Sequence, residues 1–425
     1  MAQSQKETFP CGTPKPEAET TTEPTSGSDA APEHDLRGKP VTGRPITSDM
    51  TTFDVLRDSM PAFGGRLVSN VYRILERVVE EDVPLVIAIA GPVTVSRQHH
   101  AWLIPLLKMG HVAYLTVTDA ICYHDGHDIL KQDDAPVIYE TLIEGLDLEY
   151  RKANIIRVTD CGFDERILFD QDRMISAILM QPEFQRKMAG PEFRHLLGLW
   201  YGKLEKATGT QPGLLSTCAD LGIPVFCGAP GDGSTFLNAT KLRAMRDAGI
   251  IPRFDFELDI YAEVLESCAY HLWGLRTGKK QLAVLILGGG VCKNFTLQPE
   301  PALSQIFLLD NIRGYDFDVQ IVGAQVTDGS LTSCKPAEAH TWGKVSKEAL
   351  VASTESVNGA DYSTIMPFIV HGLLQRRAEA MNRHPHRLYD KRDGLVAELM
   401  NEIKTKGPEL LESIRFPLVP APAAG

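Results

Sequence analysis

Long apolar runs and clusters of basic residues are both missing from this 425-residue sequence. No apolar run approaches the roughly 20 residues that a membrane-spanning helix needs, and the opening MAQSQKETFPCGTPKPE has no apolar signal core. The formal net charge is -12, and phosphate binding needs clustered Lys and Arg. We therefore expect a cytoplasmic protein with no membrane and no nucleic-acid partner.

Paired cysteines are also missing. The eight cysteines include no C-x-x-C pair and no spacing typical of a zinc site, and several lie in apolar runs such as IPVFC (223–227). This pattern indicates reduced cysteines that pack in the interior. An apolar content of 43% is enough to build a sizeable core.

Large apolar residues are nearly absent from residues 1–48, which are rich in Pro, Thr, Ser, Glu and Gly. Such a segment buries too little surface to offset the entropy of ordering, so we predict a disordered extension. Residues 416–425, with the sequence FPLVPAPAAG, are predicted to be a flexible tail. Residues 49–415 contain no repeat and no linker, and we predict one large domain there.

Short apolar runs recur through the predicted domain, with helical patterns between them. Because their apolar residues are consecutive rather than alternating, they are typical of strands covered on both faces. Strands that alternate with helices predict an α/β fold with a doubly wound, mainly parallel sheet and ligands at the carboxyl ends of its strands. The six predicted strands span residues 83–90, 111–118, 154–160, 223–227, 282–287 and 317–323.

Three loops that follow predicted strands carry glycines and carboxylates. LILGGGVCKN (285–294) continues a strand into Gly288, Gly289 and Gly290, whose missing Cβ atoms allow a dinucleotide to approach the backbone. Asp232 in GAPGDGS (228–234) and Asp328 in VTDGS (326–330) also lie in loops that follow predicted strands. Steric turns and Asx turns that cap the next helix are the alternatives. Three such loops together indicate one site.

A histidine and aspartate cluster, YHDGHDI (123–129), follows another predicted strand. Two histidines and two carboxylates are suitable metal ligands. No matching cluster elsewhere completes a coordination sphere, and charged residues are common in loops. We therefore predict no metal site.

The stretch EAHTWGKVSKEAL (338–350) contains a lysine behind a tryptophan and a glycine. A desolvated lysine has a lowered pKa and becomes a nucleophile. Trp342 would exclude water from Lys344, and Glu338 would bind a substrate ammonium. The alternative is an exposed lysine next to a tryptophan at a helix start.

LILGGGVCKNF, DGSLTSCKPAEAHTWGKVS and GADYSTIMPFIV together resemble the deoxyhypusine synthase family. The resemblance runs from about residue 50 to about residue 375. It implies an NAD-binding, Rossmann-like domain in a homotetramer with sites between subunits. It also implies that spermidine gives a hydride to NAD, that 1,3-diaminopropane leaves, and that an aminobutyl imine on a lysine passes to an acceptor amine.

The resemblance assigns roles to particular residues. It makes Lys344 the covalent nucleophile, Trp342 its apolar wall and Glu338 the binder of the substrate amine. It adds Asp361 to the cofactor site with the glycine triplet, Asp232 and Asp328.

Three positions depart from the protein-modifying members. Asn294 replaces a histidine, and Leu237 and Leu331 replace aspartates that would hold a polyamine ammonium. KNFTLQPEP, AGPVTVS and YHDGH resemble instead the bacterial deoxyhypusine synthase-like branch. A small amine acceptor, as in homospermidine formation, is therefore favoured over a protein lysine. A catalytically silent regulatory paralogue and a hydrolase of an amine or guanidine substrate are the alternatives.

Overall fold

The computed structural model describes residues 40–131, 136–142, 144–376 and 384–415. The chain divides into two units, residues 1–42 and residues 43–425, and the described part of the second unit is compact. Most of the predicted extension (1–48) and all of the predicted tail (416–425) lie outside the described residues.

The strands of the described residues are β1 (Leu85–Ile89), β2 (Val112–Val117), β3 (Tyr139–Glu140), β4 (Ile155–Val158), β5 (Cys161–Asp164), β6 (Lys187–Ala189), β7 (Val225–Cys227), β8 (Glu257–Asp259), β9 (Ala283–Leu287), β10 (Phe317–Val322) and β11 (Thr354–Asn358). They form three sheets, and the largest has six strands in the order β11-β10-β9-β1-β2-β7. A three-stranded sheet has the order β3-β5-β4, and β6 pairs with β8.

The helices fill the connections between strands. Two short π-helices, His99–Leu103 and Ala302–Ile306, precede α3 and follow α12. The α-helices are α1 (Thr52–Asp58), α2 (Phe63–Glu80), α3 (Ile104–Lys108), α4 (Asp119–His124), α5 (Asp147–Lys152), α6 (Glu165–Leu179), α7 (Gly190–Thr208), α8 (Leu214–Leu221), α9 (Ser234–Asp247), α10 (Ile260–Arg276), α11 (Gly290–Leu297), α12 (Pro299–Pro301), α13 (Pro336–His340), α14 (Ala349–Ala352), α15 (Tyr362–Arg376), α16 (Leu388–Thr405) and α17 (Gly407–Ser413).

The six-stranded sheet is parallel throughout and is covered on both faces. In β1, Leu85 and Ile87 belong to one apolar core while Val86 and Ala88 belong to another. Successive side chains of a strand point to opposite faces, so these two cores lie on the two sides of the sheet. The predicted doubly wound α/β fold is confirmed.

Five of the six predicted strands lie in this sheet, and the assignment of residues 154–160 to it was wrong. That segment forms β4, which pairs antiparallel with β5 outside the main sheet. Its four residues are only partly buried. The edge strand β11 was not predicted, because its sequence TESVN is polar.

Helix α10 carries apolar residues at a helical period, but part of this apolar stripe faces outward. Cys268 and Leu272 are buried, whereas Ile260 is 58% exposed and Val264 39% exposed. Val264 lines the cavity described next.

The carboxyl ends of the parallel strands lie along one edge of the sheet. Strand β9 leads into the glycine triplet there, and β1 leads into Gly91. Chain connections diverge on either side of the β1–β9 pair, which makes this the switch point where doubly wound folds bind ligands. Among the described residues, no helix is long and apolar enough to cross a membrane.

Candidate active site

One cavity of about 650 Å³ brings together all four predicted catalytic residues, Lys344, Trp342, Glu338 and Asn294. Helix α11 supplies Asn294, and α13 with the turn after it supplies the other three. Apolar side chains complete most of the lining, namely those of Val264, Phe295, Leu297, Ile306 and Leu331. The cavity can therefore hold an alkyl chain beside a lysine amine.

The backbone around Lys344 is fixed by hydrogen bonds. The Lys344 amide donates to the carbonyl of Ala339, and the Lys344 carbonyl accepts from the amide of Tyr315 at 3.0 Å. Gly314 must lack a side chain, because a Cβ there would lie 2.0 Å from the Lys344 carbonyl carbon. The peptide that carries the lysine is thus held in place, and only the side chain is left to move.

The amine of Lys344 is buried and donates a hydrogen bond to a neighbouring side chain. Lys344 is 9% exposed, and its Nζ donates to Asn294 Oδ1 at 3.2 Å. Burial lowers the pKa of Lys344, while Cys334 and Glu300 oppose this shift. A lowered pKa increases the fraction of neutral amine, which is the nucleophilic form.

Trp342 and Glu338 form the outer part of the cavity. The Lys344 Nζ lies 5.8 Å from the centre of the Trp342 ring, within the range of a cation–π contact. Trp342 is 64% exposed, so in this chain its outer face is open to solvent. Among the described residues that line the cavity, Glu338 is the one carboxylate, and it can accept a substrate ammonium from the exposed side.

The sequence analysis missed a second lysine in the same cavity. Lys293 is 1% exposed, and its Nζ donates to Gln320 Oε1 at 2.9 Å and to the carbonyl of Cys334. Burial lowers its pKa. The sequence did contain a signal for Lys293. It lies three residues after Gly290, the first residue of α11, so its side chain is one helical turn from the glycine loop.

A second cavity, of about 510 Å³, lies at the switch point of the sheet. It contains three of the predicted cofactor residues, Gly288, Gly289 and Asp361. Gly91 and Tyr362 also line it. Asp361 Oδ1 accepts from the amide of Ser363 at the start of α15, which holds the carboxylate at the cavity edge.

The glycines of this cavity are required by its geometry. Gly288 and Gly289 have φ of +68° and +47°, and a Cβ on Gly289 would lie 2.1 Å from the Cβ of Ala90. Gly289 therefore has a steric role. The bare backbone at Gly288 and the Asp361 carboxylate also fit a dinucleotide, which needs close backbone approach and an acceptor for ribose hydroxyls.

The other three predicted cofactor residues lie near the same sheet edge but do not line this cavity. Gly290 is the first residue of α11. Asp232 is exposed in a short turn before α9. Asp328 is exposed, and its Oδ1 accepts from the amide of Ser330 at 2.6 Å, which is the Asx turn considered as the alternative reading.

The two leucines that replace family aspartates lie in different places. Leu331 lines the lysine cavity, whereas Leu237 lines a separate cavity of about 480 Å³ with His124 and Lys241. Within one chain, only Leu331 bears directly on what binds beside Lys344.

The side chains of the HDGHD segment are engaged in contacts within the chain. Both carboxylate oxygens of Asp125 accept backbone amides at the start of α8, at 2.7 and 2.8 Å. His124 Nδ1 and His127 Nε2 lie 3.1 Å apart, and Asp128 contacts Arg97. Within the described ranges, no group of three or more potential ligands could hold a metal ion.

The parallel sheet is doubly wound, and a glycine-lined cavity lies at its switch point. A second, apolar cavity contains a buried lysine. These features define a Rossmann-like protein with a lysine-based site. The family model described as "DS: Deoxyhypusine synthase" matches residues 56–373, and the chain belongs to the deoxyhypusine synthase family.

Curated relatives fall into two groups. A "Deoxyhypusine synthase-like protein" of Nostoc punctiforme is 30% identical over 371 residues, covering 86% of this chain and 90% of the relative. Another of that name, from Thermosynechococcus vestitus, is 30% identical and covers 85% and 86%. "Probable deoxyhypusine synthase 1" of Methanosarcina acetivorans is 25% identical and covers 79% and 95%. This chain is thus more similar to the two relatives named synthase-like than to the relative named as a probable synthase.

Proposed function

We propose that this protein is a deoxyhypusine synthase-like transferase that moves an aminobutyl group from a polyamine such as spermidine to a small amine acceptor through an imine on Lys344. Membership of the family supports an aminobutyl-transferase-like function. The observation that carries the proposal is the buried Lys344 amine, with its lowered pKa, in an apolar cavity with Asn294, Trp342 and Glu338.

NAD, when bound against Gly288, Gly289 and Asp361, would accept a hydride from the donor carbon and return it at the end. The neutral Lys344 amine attacks the resulting imine carbon, and 1,3-diaminopropane leaves with its nitrogen and a proton. The aminobutyl group is then held as an imine on Lys344. The acceptor amine attacks the same carbon and displaces Lys344, so that one C–N bond forms and one breaks at each transfer.

The lining of the lysine cavity supports the proposal that the acceptor is a small amine. Glu338 provides one carboxylate in this cavity. Leu331 provides none, although the resemblance implies an aspartate at this position in family members that modify a protein. A buried ammonium without a partner is strongly disfavoured. The substrates therefore place one cationic group at Glu338 and an alkyl chain along the apolar lining.

The assembly is proposed to be a homotetramer with sites between subunits, in the cytoplasm. Support comes from exposed apolar side chains at the mouth of the lysine cavity. Trp342 is 64% exposed, Ile306 65% and Leu331 40%. A second copy would cover them and close the cavity. Native mass spectrometry checks this, and a monomer at micromolar concentration would contradict it.

The test of the transfer uses mass spectrometry after borohydride trapping. Purified protein is incubated with NAD and spermidine, with and without putrescine. We expect an aminobutyl adduct on the Lys344 peptide, release of 1,3-diaminopropane, and homospermidine in the putrescine sample. Lys344→Ala should lose all three, whereas Lys347→Ala, which removes an exposed lysine three residues away, should lose none.

The same experiment separates the proposal from a regulatory role. A protein that forms no adduct and releases no diaminopropane with any polyamine would be a silent paralogue. Loss of the carboxylate at Leu331 is the observation that favours this second candidate.

A further inference from the structure

Glu300 is a buried carboxylate packed against Gly343, the residue before Lys344. It is 5% exposed, and its Oε2 has no hydrogen-bond partner among the described residues. The carboxylate lies against Gly343, since a Cβ on Gly343 would lie 2.7 Å from Oε2. Buried polar atoms without a partner are rare and cost stability, so this placement calls for an explanation.

The fold brings Glu300 to this place through the helical segment that also carries Asn294. Helix α11 ends at Leu297, and α12 (Pro299–Pro301) follows at once with Glu300 at its centre. Asn294 reaches the Lys344 amine from α11, while Glu300 approaches from beneath Gly343. One stretch of chain therefore supplies both the hydrogen-bond acceptor of the lysine and the carboxylate packed against Gly343.

Among the described residues, the titratable groups that line the lysine cavity besides Lys344 are Cys268, Lys293, Cys334 and Glu338. Burial raises the pKa of Glu300, while a side-chain hydrogen bond from Ser304 and then the charge of Lys344 oppose the shift. Burial lowers the pKa of Lys344, with Cys334 and Glu300 opposing it. Burial also raises the pKa of the Cys334 thiol, so that it is neutral at ordinary pH. Lys293 is the neighbouring cation, and Lys344 lowers its pKa after the larger effect of burial.

Glu300 does not touch the substrate space. It is not among the residues that line the lysine cavity, because Gly343 lies between. Any action of Glu300 on the reaction passes through Lys344. Glu300 is therefore a positioning residue rather than a catalytic one.

We propose that Glu300 is the counter-ion of Lys344, which stabilises the positive charge on its nitrogen as the ammonium and as the protonated imine. The part of this proposal that concerns the imine rests on the proposed function, whereas the part that concerns the ammonium does not. An imine carbon is attacked readily when its nitrogen carries a proton, and an apolar cavity disfavours that charge unless an anion lies nearby. Asn294 is neutral and supplies only a hydrogen-bond acceptor. Glu300 supplies the charge.

The test measures how readily Lys344 reacts as a function of pH, without NAD or polyamine. Protein is methylated with formaldehyde and cyanoborohydride between pH 6 and 11, and the Lys344 peptide is quantified by mass spectrometry. Glu300→Gln, which keeps the shape of the side chain and removes its charge, should lower the midpoint pH of Lys344 methylation by about one unit. Glu348→Gln, which removes an exposed carboxylate outside the cavity lining, should leave it unchanged.

An unchanged midpoint in a folded Glu300→Gln protein would overturn the proposal. A merely structural role would lower thermal stability without moving the midpoint. Because the labelling needs no transfer chemistry, its result stands even if no polyamine adduct forms on the native enzyme. A labelling shift without an adduct would therefore reject the proposed function and keep the counter-ion.

A second measurement covers the case in which Glu300→Gln does not fold. Removing the lysine charge with Lys344→Met should raise the pKa of Glu300, since the coupling of two charges is reciprocal. The infrared spectrum of Lys344→Met at neutral pH should then gain the band of a buried neutral carboxylic acid. If Lys344→Met and the native protein have the same carboxylic acid bands, Glu300 is not the counter-ion.

Discussion

The Nζ of Lys344 lies 3.2 Å from the Oδ1 of Asn294, fifty residues earlier in the chain. This contact joins α11 to the turn after α13 and holds the amine inside the apolar cavity. It is also where the chain departs from family members that carry a histidine. A histidine can exchange protons near neutral pH, whereas an amide cannot.

Asn294→Asp should raise the pKa of Lys344, because it places a negative charge at hydrogen-bond distance from the ammonium. Lysine reacts as the neutral amine, so a higher pKa moves the onset of methylation to higher pH. Asn294→Leu, which removes the acceptor, should move it to lower pH. The exposed Lys347, followed in the same samples, should keep its midpoint, and a parallel shift there would contradict the local explanation.

Gly289→Ala should destabilise the fold by about 1–3 kcal/mol, because the added Cβ would lie 2.1 Å from Ala90 at a positive φ. Urea unfolding measures the change. Gly394→Ala in α16 is the matched control, since a Cβ there meets nothing within 4 Å. Alanine in the middle of a helix should stabilise that variant by about 0.5–1 kcal/mol. Equal effects in the two variants would refute the steric role of Gly289.

Leu331→Asp should strengthen the binding of spermidine, because it adds a carboxylate to the lining of the lysine cavity. Calorimetry on the NAD-supplemented protein would show a dissociation constant about tenfold lower, for a gain of about 1.4 kcal/mol. Val351→Asp adds the same charge at an 87% exposed position on α14, outside the cavity lining, and should have little effect. A comparable gain in both variants would mean that net charge, not the cavity, attracts the polyamine.

Glu263→Gln should destabilise the protein by about 3–5 kcal/mol, because it leaves the Arg194 charge buried without its partner. The two side chains are each 1% exposed, and Arg194 Nη1 donates to Glu263 Oε1 at 2.7 Å. Arg151→Gln breaks a pair whose arginine is 72% exposed and should cost less than about 1 kcal/mol. Thermal unfolding compares the two, and similar losses would contradict the role of burial.

The sequence predicted the main sheet well where strands are apolar on both faces. β1 and β9 are such strands, since burial on two sides leaves little room for polar residues. The segment at 154–160, NIIRVTD, has three apolar residues of seven, and it pairs antiparallel in a small separate sheet. Periodicity alone does not distinguish these cases. β11 was missed because it has one neighbouring strand and a polar sequence.

The residues of the lysine cavity were predicted by motif, but their surroundings were not. Glu300 and Lys293 act on Lys344 only because the segment after β9 returns beside the turn that follows α13. That approach depends on pairing between β9 and β10, over distances in the chain that no local pattern encodes. Asp328 forms an Asx turn with Ser330, and its place in the cofactor site, which was suggested by the DGS motif, stays a prediction.

Helix α11 sets the separation between the two cavities. It begins just after the glycine turn of the cavity at the switch point and carries Asn294, about 6 Å further along its axis, into the lysine cavity. Four residues of one helix thus fix both the distance and the direction of the amide, and one residue inserted between Gly290 and Asn294 would turn it about 100° away from the lysine.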